Sequence, residues 1–229
     1  MNINPAFGIS PLGLSDSWQK DALRTAVSAA HDAREAQIDW AVYSLASDEA
    51  NQRRYTLLTE MKEALNHPDH LSLSYQPRLD LNTQKCGSAE ALLRWRHPRL
   101  GNVLPVEFIL LIEQTTLVLL VTQRVIKTAL RQLSVWQKAG LVMQVSIYIS
   151  ALAFETPDFT QSVAEALTLY GVAPNCVELE FTESTLIRNR QCVLRQLEEI
   201  RSMGVGLAID DFGTGYSTFL IYRNFRQLQ

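Results

Sequence analysis

The sequence predicts a parallel α/β fold, and three observations carry that expectation. Short runs alternate apolar and polar residues: Val145, Ile147 and Ile149 against Ser146, Tyr148 and Ser150, then Val177, Leu179 and Phe181 against Glu178, Glu180 and Thr182. Longer runs repeat apolar residues at helical spacing, as at Val125, Ile126, Ala129, Leu133 and Trp136. Three helical runs are each followed at once by glycine, at Gly140, Gly171 and Gly204, with a strand pattern starting a few residues later. Glycine just past a helix takes the left-handed conformation that caps the last carbonyls. Helix, glycine, turn and strand, repeated, is the order expected of a parallel sheet with helical crossovers.

The elements follow in chain order. Residues 19–34 and 50–66 read as amphipathic helices on either side of a possible strand at 38–44, with Tyr55, Leu58, Met61 and Leu65 striping the second helix. Leu71, Leu73 and Tyr75 alternate with serines and read as a strand, and EALLRW (90–95) suggests another. Helices are expected at 122–139, 157–170 and 188–203, with strands at 145–149, 177–182 and 206–212.

Composition narrows the function. Apolar residues make up 47% and charged residues 20% of the 229, so the chain can bury enough surface to offset the entropy of ordering. A net charge of −3 disfavours a protein that holds polymeric nucleic acid by bulk positive charge. Three cysteines, Cys86, Cys176 and Cys192, form no C-x-x-C pair and point to free thiols in a reducing compartment. The start shows no basic segment followed by an apolar run, and Phe108 to Val121 is broken by Glu113 and Gln114. A cytoplasmic location with no membrane segment is the expectation.

The candidates for chemistry are acids. Glu90 opens EALLRW, Glu180 lies in ELEFTES, and Asp210 and Asp211 are adjacent in IDDFGTGYS. Carboxylates at the ends of apolar strands are costly to bury without a cation or donor. Any one of them reads equally well as a salt-bridged or solvent-facing acid. Four together, followed by a glycine-bearing loop, suit Mg²⁺ or Mn²⁺, which prefer oxygen ligands.

Six blocks in order resemble the EAL-domain family of cyclic di-GMP phosphodiesterases: YQP (75–77), EALLRW (90–95), HPRLGNVLPVEFI (97–109), WQKAGLVMQVSI (136–147), ELEFTES (178–184) and IDDFGTGYS (209–217). Residues 1–47, through AFGIS, SAAHDARE and WAVYS, resemble the end of a GGDEF domain, residues 48–67 a connector helix, and residues 68–229 the EAL domain itself. The resemblance implies a (β/α)₈ TIM-like barrel of which this chain supplies about five strands, after an N-terminal α/β remnant. It also implies two-metal hydrolysis of one phosphodiester bond to the linear dinucleotide, the cations polarising phosphoryl oxygens and activating water. Glu90 and Glu180 would ligate one cation, Asp210 would bridge to a second, and Asp211 would hold that second one. Glu183 would anchor the DFGTGYS loop, while Gln76 and Arg94 would contact substrate, the guanidinium suiting a phosphate.

Departures from the family pattern set a second expectation. Tyr148 stands where the family has a metal-ligating Asn, Thr116 stands where a glycine is usual, and a downstream lysine and glutamate have no counterpart before Gln229. Residues 68–229 also fall short of the roughly 250 residues of a full barrel. Hydrolysis at or near background is therefore expected. Two further readings stand beside an active phosphodiesterase. One is a non-catalytic module that binds cyclic di-GMP or pairs its open barrel edge with a partner protein or a second copy. The other is a fragment of a GGDEF–EAL parent.

Overall fold

The computed structural model describes residues 5–11, 18–186 and 190–210. The chain divides into two compact units, 1–60 and 61–229, with the division inside one helix.

In the first unit, β1 (Phe7–Ile9) pairs in parallel with β2 (Trp40–Val42), and α1 (Trp18–Glu35) makes the crossover between them. Parallel neighbours require such a crossover. The helix α2 (Leu45–Asn66) then begins. Asp48, on its first turn, accepts hydrogen bonds from Arg24 Nη1 at 2.7 Å, Ser28 Oγ at 3.0 Å, Tyr43 OH at 3.2 Å and Gln52 Nε2 at 3.4 Å.

The second unit carries one sheet with strand order β3-β4-β6-β7-β8, where β3 is Leu71–Asp80, β4 Lys85–His97, β6 Gln144–Tyr148, β7 Val177–Thr182 and β8 Gly206–Asp210. The short β5 (Gly101–Val103) pairs antiparallel with the end of β4. From β4 onward the path is parallel, as the sequence predicts. Along that path the sheet is antiparallel only at its start, where β3 and β4 form a hairpin. The reason lies at residues 81–84: Asp80 Oδ1 accepts the backbone N–H groups of Asn82 at 2.8 Å and Thr83 at 3.1 Å. That side chain closes a tight reversal, leaving no length for a helical crossover.

Helices α3 (Pro105–Ile112), α4 (Leu117–Lys138), α5 (Ala151–Phe154), α6 (Phe159–Tyr170) and α7 (Arg190–Ser202) intervene between strands. Gly140, Gly171 and Gly204 have φ of 80°, 64° and 90°, the left-handed caps expected where α4, α6 and α7 end. Thr116, where the resemblance leads to an expected glycine, has φ −68° and ψ −9°, an ordinary helical conformation. Threonine therefore carries no backbone strain there.

The period of two along the strands sorts the side chains. Ala89, Ala91 and Trp95 of β4, Val145 and Ile147 of β6, and Val177, Leu179 and Phe181 of β7 are buried. So are Ala129, Leu130 and Leu133 of α4, Val163 and Leu167 of α6, and Val193, Leu197 and Ile200 of α7. Edge-to-face contacts tie this core together, with Trp95 and Phe108 centroids 5.4 Å apart and Phe154 and Phe181 5.5 Å apart. The alternate positions are polar: Gln76, Arg78, Glu90, Ser146, Tyr148, Glu178 and Glu180. The sheet thus has one apolar face and one face of acids, hydroxyls and a guanidinium. No helix among the described residues is long and apolar enough to cross a membrane.

Candidate functional site

Strand register assembles the polar face. Gln76 is opposite Glu90, Glu90 beside Ser146, Ser146 beside Glu178, and Tyr148 beside Glu180. The sequence suggests that Glu90 opens its strand, but it is the sixth residue of the thirteen in β4. The hairpin extends β4 backwards and leaves Glu90 well inside the sheet.

Arg78 is the hub. Its Nη2 donates to Glu180 Oε1 at 2.6 Å and to Glu90 Oε2 at 3.0 Å. Its Nη1 donates to Ser146 Oγ at 2.8 Å and to Glu178 Oε1 at 3.4 Å, and Ser146 Oγ in turn donates to the same Glu178 oxygen at 2.6 Å. The register slips just past Arg78, where Gly87 of β4 is left unpaired between the Arg78–Ser88 and Leu79–Cys86 pairs. Three carboxylates therefore share one guanidinium.

The electrostatics follow from that ratio. Burial pushes the Glu180 carboxyl above its ordinary value, Arg78 offsets part of the rise, and the Glu90 charge adds to it. Burial alone would lower Arg78, but Glu180 and Glu90 hold it above the usual arginine value. Glu180 is 5% exposed, so its charge depends on what cation stands beside it.

Beyond the hub, a cavity of about 440 Å³ is lined by Glu90, Leu92, Arg94, Glu113, Tyr148 and Asp210, with apolar side from Ile109, Leu110 and Val121. An adjoining cavity of about 360 Å³ shares Glu113, Tyr148, Ser150, Thr182 and Ser184 with it. Tyr148 OH donates to Glu113 Oε1 at 2.7 Å, linking β6 to the turn after α3.

The structure brings together some of the residues singled out in the sequence. Glu90 and Glu180 meet on one nitrogen; Asp210, the last residue of β8, lines the same cavity as Glu90 and Arg94. Gln76 is exposed and opposite Glu90, and Glu183 is buried in the short helical turn after β7. Asp211 and the remainder of the DFGTGYS loop lie outside the described residues. Among the described residues no group of three or more acids, histidines or cysteines forms a ready metal cage. The donor set nonetheless fits a hard cation: two carboxylates from different strands already converge on one positive nitrogen. The sequence reading assigned no role to Arg78, Ser146, Glu178 or Glu113. Arg78 was findable, because it follows Gln76 by two and so shares its face.

A helix-backed sheet, parallel from β4 onward, with a polar face of acids defines a TIM-barrel-type α/β domain, and the relatives give its family. The chain belongs to the EAL domain family, whose model matches residues 59–226. It is 40% identical over 220 residues to a cyclic di-GMP phosphodiesterase of Pseudomonas aeruginosa, covering 95% of this chain and 38% of that protein. It is 38% identical over 170 residues to the bifunctional diguanylate cyclase/cyclic di-GMP phosphodiesterase MucR of the same organism, covering 74% of this chain and 25% of the relative. The chain therefore spans well under half the length of these two relatives. Among solved structures, the Pseudomonas MucR phosphodiesterase in its c-di-GMP complex superimposes with a TM-score of 0.68 at 37% identity, covering 74% of this chain and 68% of that one. The Xanthomonas citri FimX EAL domain, also complexed with c-di-GMP, gives 0.67 at 26% identity, with 78% and 69% covered. EAL domains generally depend on a divalent metal.

Proposed function

We propose that the polar face of the second unit is a cyclic di-GMP site of the EAL phosphodiesterase type, in which binding is retained and hydrolysis is strongly impaired. The observation that carries the reading is the convergence of Glu90 and Glu180 on a single nitrogen of Arg78. Two acids on separate strands, one of them buried, are held where one cation can serve both.

In this reading Glu90 and Glu180 would hold Mg²⁺ or Mn²⁺, with Asp210 and Asp211 completing a second position. A divalent ion there supplies charge for phosphoryl oxygens and lowers the pKa of a bound water. The chain's own residues do the rest. Arg94, on the cavity wall, presents a planar fork to two phosphate oxygens. Gln76, opposite Glu90, offers an amide to substrate, and Leu92, Ile109, Leu110 and Val121 give the flat bases an apolar wall.

Tyr148 is the reason for impairment. It lies beside Glu180 in the β6–β7 register, at the family's Asn position, and its hydroxyl donates to Glu113. A neutral phenol engaged as a donor offers no amide carbonyl to a cation.

Titrating cyclic di-GMP into the full chain with Mn²⁺, then analysing the nucleotide by chromatography, tests both halves. Saturable binding with intact nucleotide is expected. Absence of binding would overturn the site, and accumulation of the linear dinucleotide would overturn the impairment.

A further inference from the structure

Arg78 is bonded in a way that a purely structural arginine does not need. Its two terminal nitrogens divide the cluster: Nη2 takes Glu90 and Glu180, the pair read above as cation ligands, and Nη1 takes Ser146 and Glu178. The side chain lies next to the register slip at Gly87 of β4 and is 39% exposed, so it is not sealed from water. The charge count points the same way. Among the described residues, Glu90, Glu178 and Glu180 together exceed the guanidinium they share by two negative charges, the deficit one divalent cation would fill.

We propose that Arg78 is a resident counter-cation. It holds Glu90 and Glu180 converged while no metal is bound, and yields them to an entering divalent cation by falling back on its Nη1 contacts to Ser146 and Glu178. The proposal rests on the reading that Glu90 and Glu180 are metal ligands. Its physical content is competition between two cations for the same oxygens. The guanidinium lowers the cost of keeping two acids together, and one of them is almost fully buried. It also repels the ion it stands in for. Metal affinity is thereby set below what the bare carboxylate pair would give, and the metal-free protein keeps its ligands in place.

The test is Mn²⁺ titration of the full chain by calorimetry, for wild type, Arg78→Gln and Arg78→Lys, alongside thermal melts in chelator and in Mn²⁺. Removing the positive charge should tighten Mn²⁺ binding by about tenfold or more, whereas lysine should stay near wild type. In chelator Arg78→Gln should melt below wild type, and Mn²⁺ should raise its melting temperature by more. Should Arg78→Gln fail to fold, wild-type protein labelled with ¹⁵N-arginine gives a second readout. The Arg78 Nε–H resonance, assigned by its loss in Arg78→Lys, should shift with added Mg²⁺ and saturate with the binding heat. Wild-type Mn²⁺ binding that Arg78→Gln leaves equal or weakens, or an Arg78 resonance indifferent to Mg²⁺, would overturn the proposal and leave the metal reading intact. Mn²⁺ binding that is absent, or that Glu180→Gln leaves unchanged, would overturn both.

Discussion

Asp48 in the first unit and Glu180 in the second are both buried carboxylates beside an arginine, at 7% and 5% exposure. Asp48 is one acid with four donors: Arg24, Ser28, Tyr43 and Gln52. Among the described residues Glu180 shares one arginine, Arg78, with Glu90 and Glu178. The consequence is opposite in sign. The Arg24 hydrogen bond, against the opposing effect of burial and with help from Ser28 and Tyr43, holds the Asp48 carboxyl below its ordinary value. Burial holds Glu180 above its own. A carboxylate with surplus donors is a finished structural joint. Carboxylates in surplus over their donors form a site that another cation would complete.

The largest expected effect separates the two centres by ligand. Replacing both Glu90 and Glu180 by Gln should weaken Mn²⁺-dependent binding of cyclic di-GMP by at least about 100-fold, since losing even a group that only orients a metal ligand costs up to about that much, whereas Asp48→Asn should leave it unchanged in the same calorimetry. Equal losses in both variants would erase the distinction.

Acid–base behaviour gives a second, smaller separation. Asp48, with its lowered pKa, contributes stability present above its ordinary 3.8 and lost as pH falls through the lowered value. Glu180, raised from 4.5, contributes stability that is fully present below that ordinary value and is lost as pH rises through the raised one. In metal-free melts, Asp48→Asn should therefore lower the melting temperature most at neutral pH and progressively less toward pH 3. Glu180→Gln should raise it at neutral pH, by about 2 °C. A fall at neutral pH in Glu180→Gln would mean that the ionised carboxylate is satisfied as it stands.

Much of this organisation is legible in the sequence, for reasons tied to particular residues. The helices closed by Gly140, Gly171 and Gly204 are readable because a left-handed cap leaves a chemical signature. The strands β6 and β7 are readable because one face is apolar and the other is not. The β3–β4 reversal is less visible, since its turn contains no glycine or proline and depends on the Asp80 side chain and on Gln84 at φ 54°. The short β1, β5 and α5 run three or four residues each, too few to show a period. At the site, Glu90 and Glu180 stand out as acids in apolar strands, but Arg78 does not. An arginine near a strand end is ordinary; its place two residues after Gln76 gives its face, and the strand register shows that this face meets three acids.

Tyr148 offers the smallest test. Tyr148→Phe removes the hydrogen bond to Glu113 and leaves the ring, so it should cost about 1 kcal/mol in denaturant unfolding while leaving Mn²⁺ binding unaltered. A loss of Mn²⁺ affinity would instead make the hydroxyl part of the cation site and weaken the case for impairment.

The most direct test of the contrast is the melting temperature of the full chain with Mn²⁺ against chelator, for wild type, Glu180→Gln and Asp48→Asn. A cation that binds only the folded state raises it by mass action. Mn²⁺ should raise the wild type and Asp48→Asn alike and raise Glu180→Gln by much less. A rise of wild-type size in Glu180→Gln, or no rise in wild type, would contradict the assignment of the Glu90–Glu180 pair as a cation position.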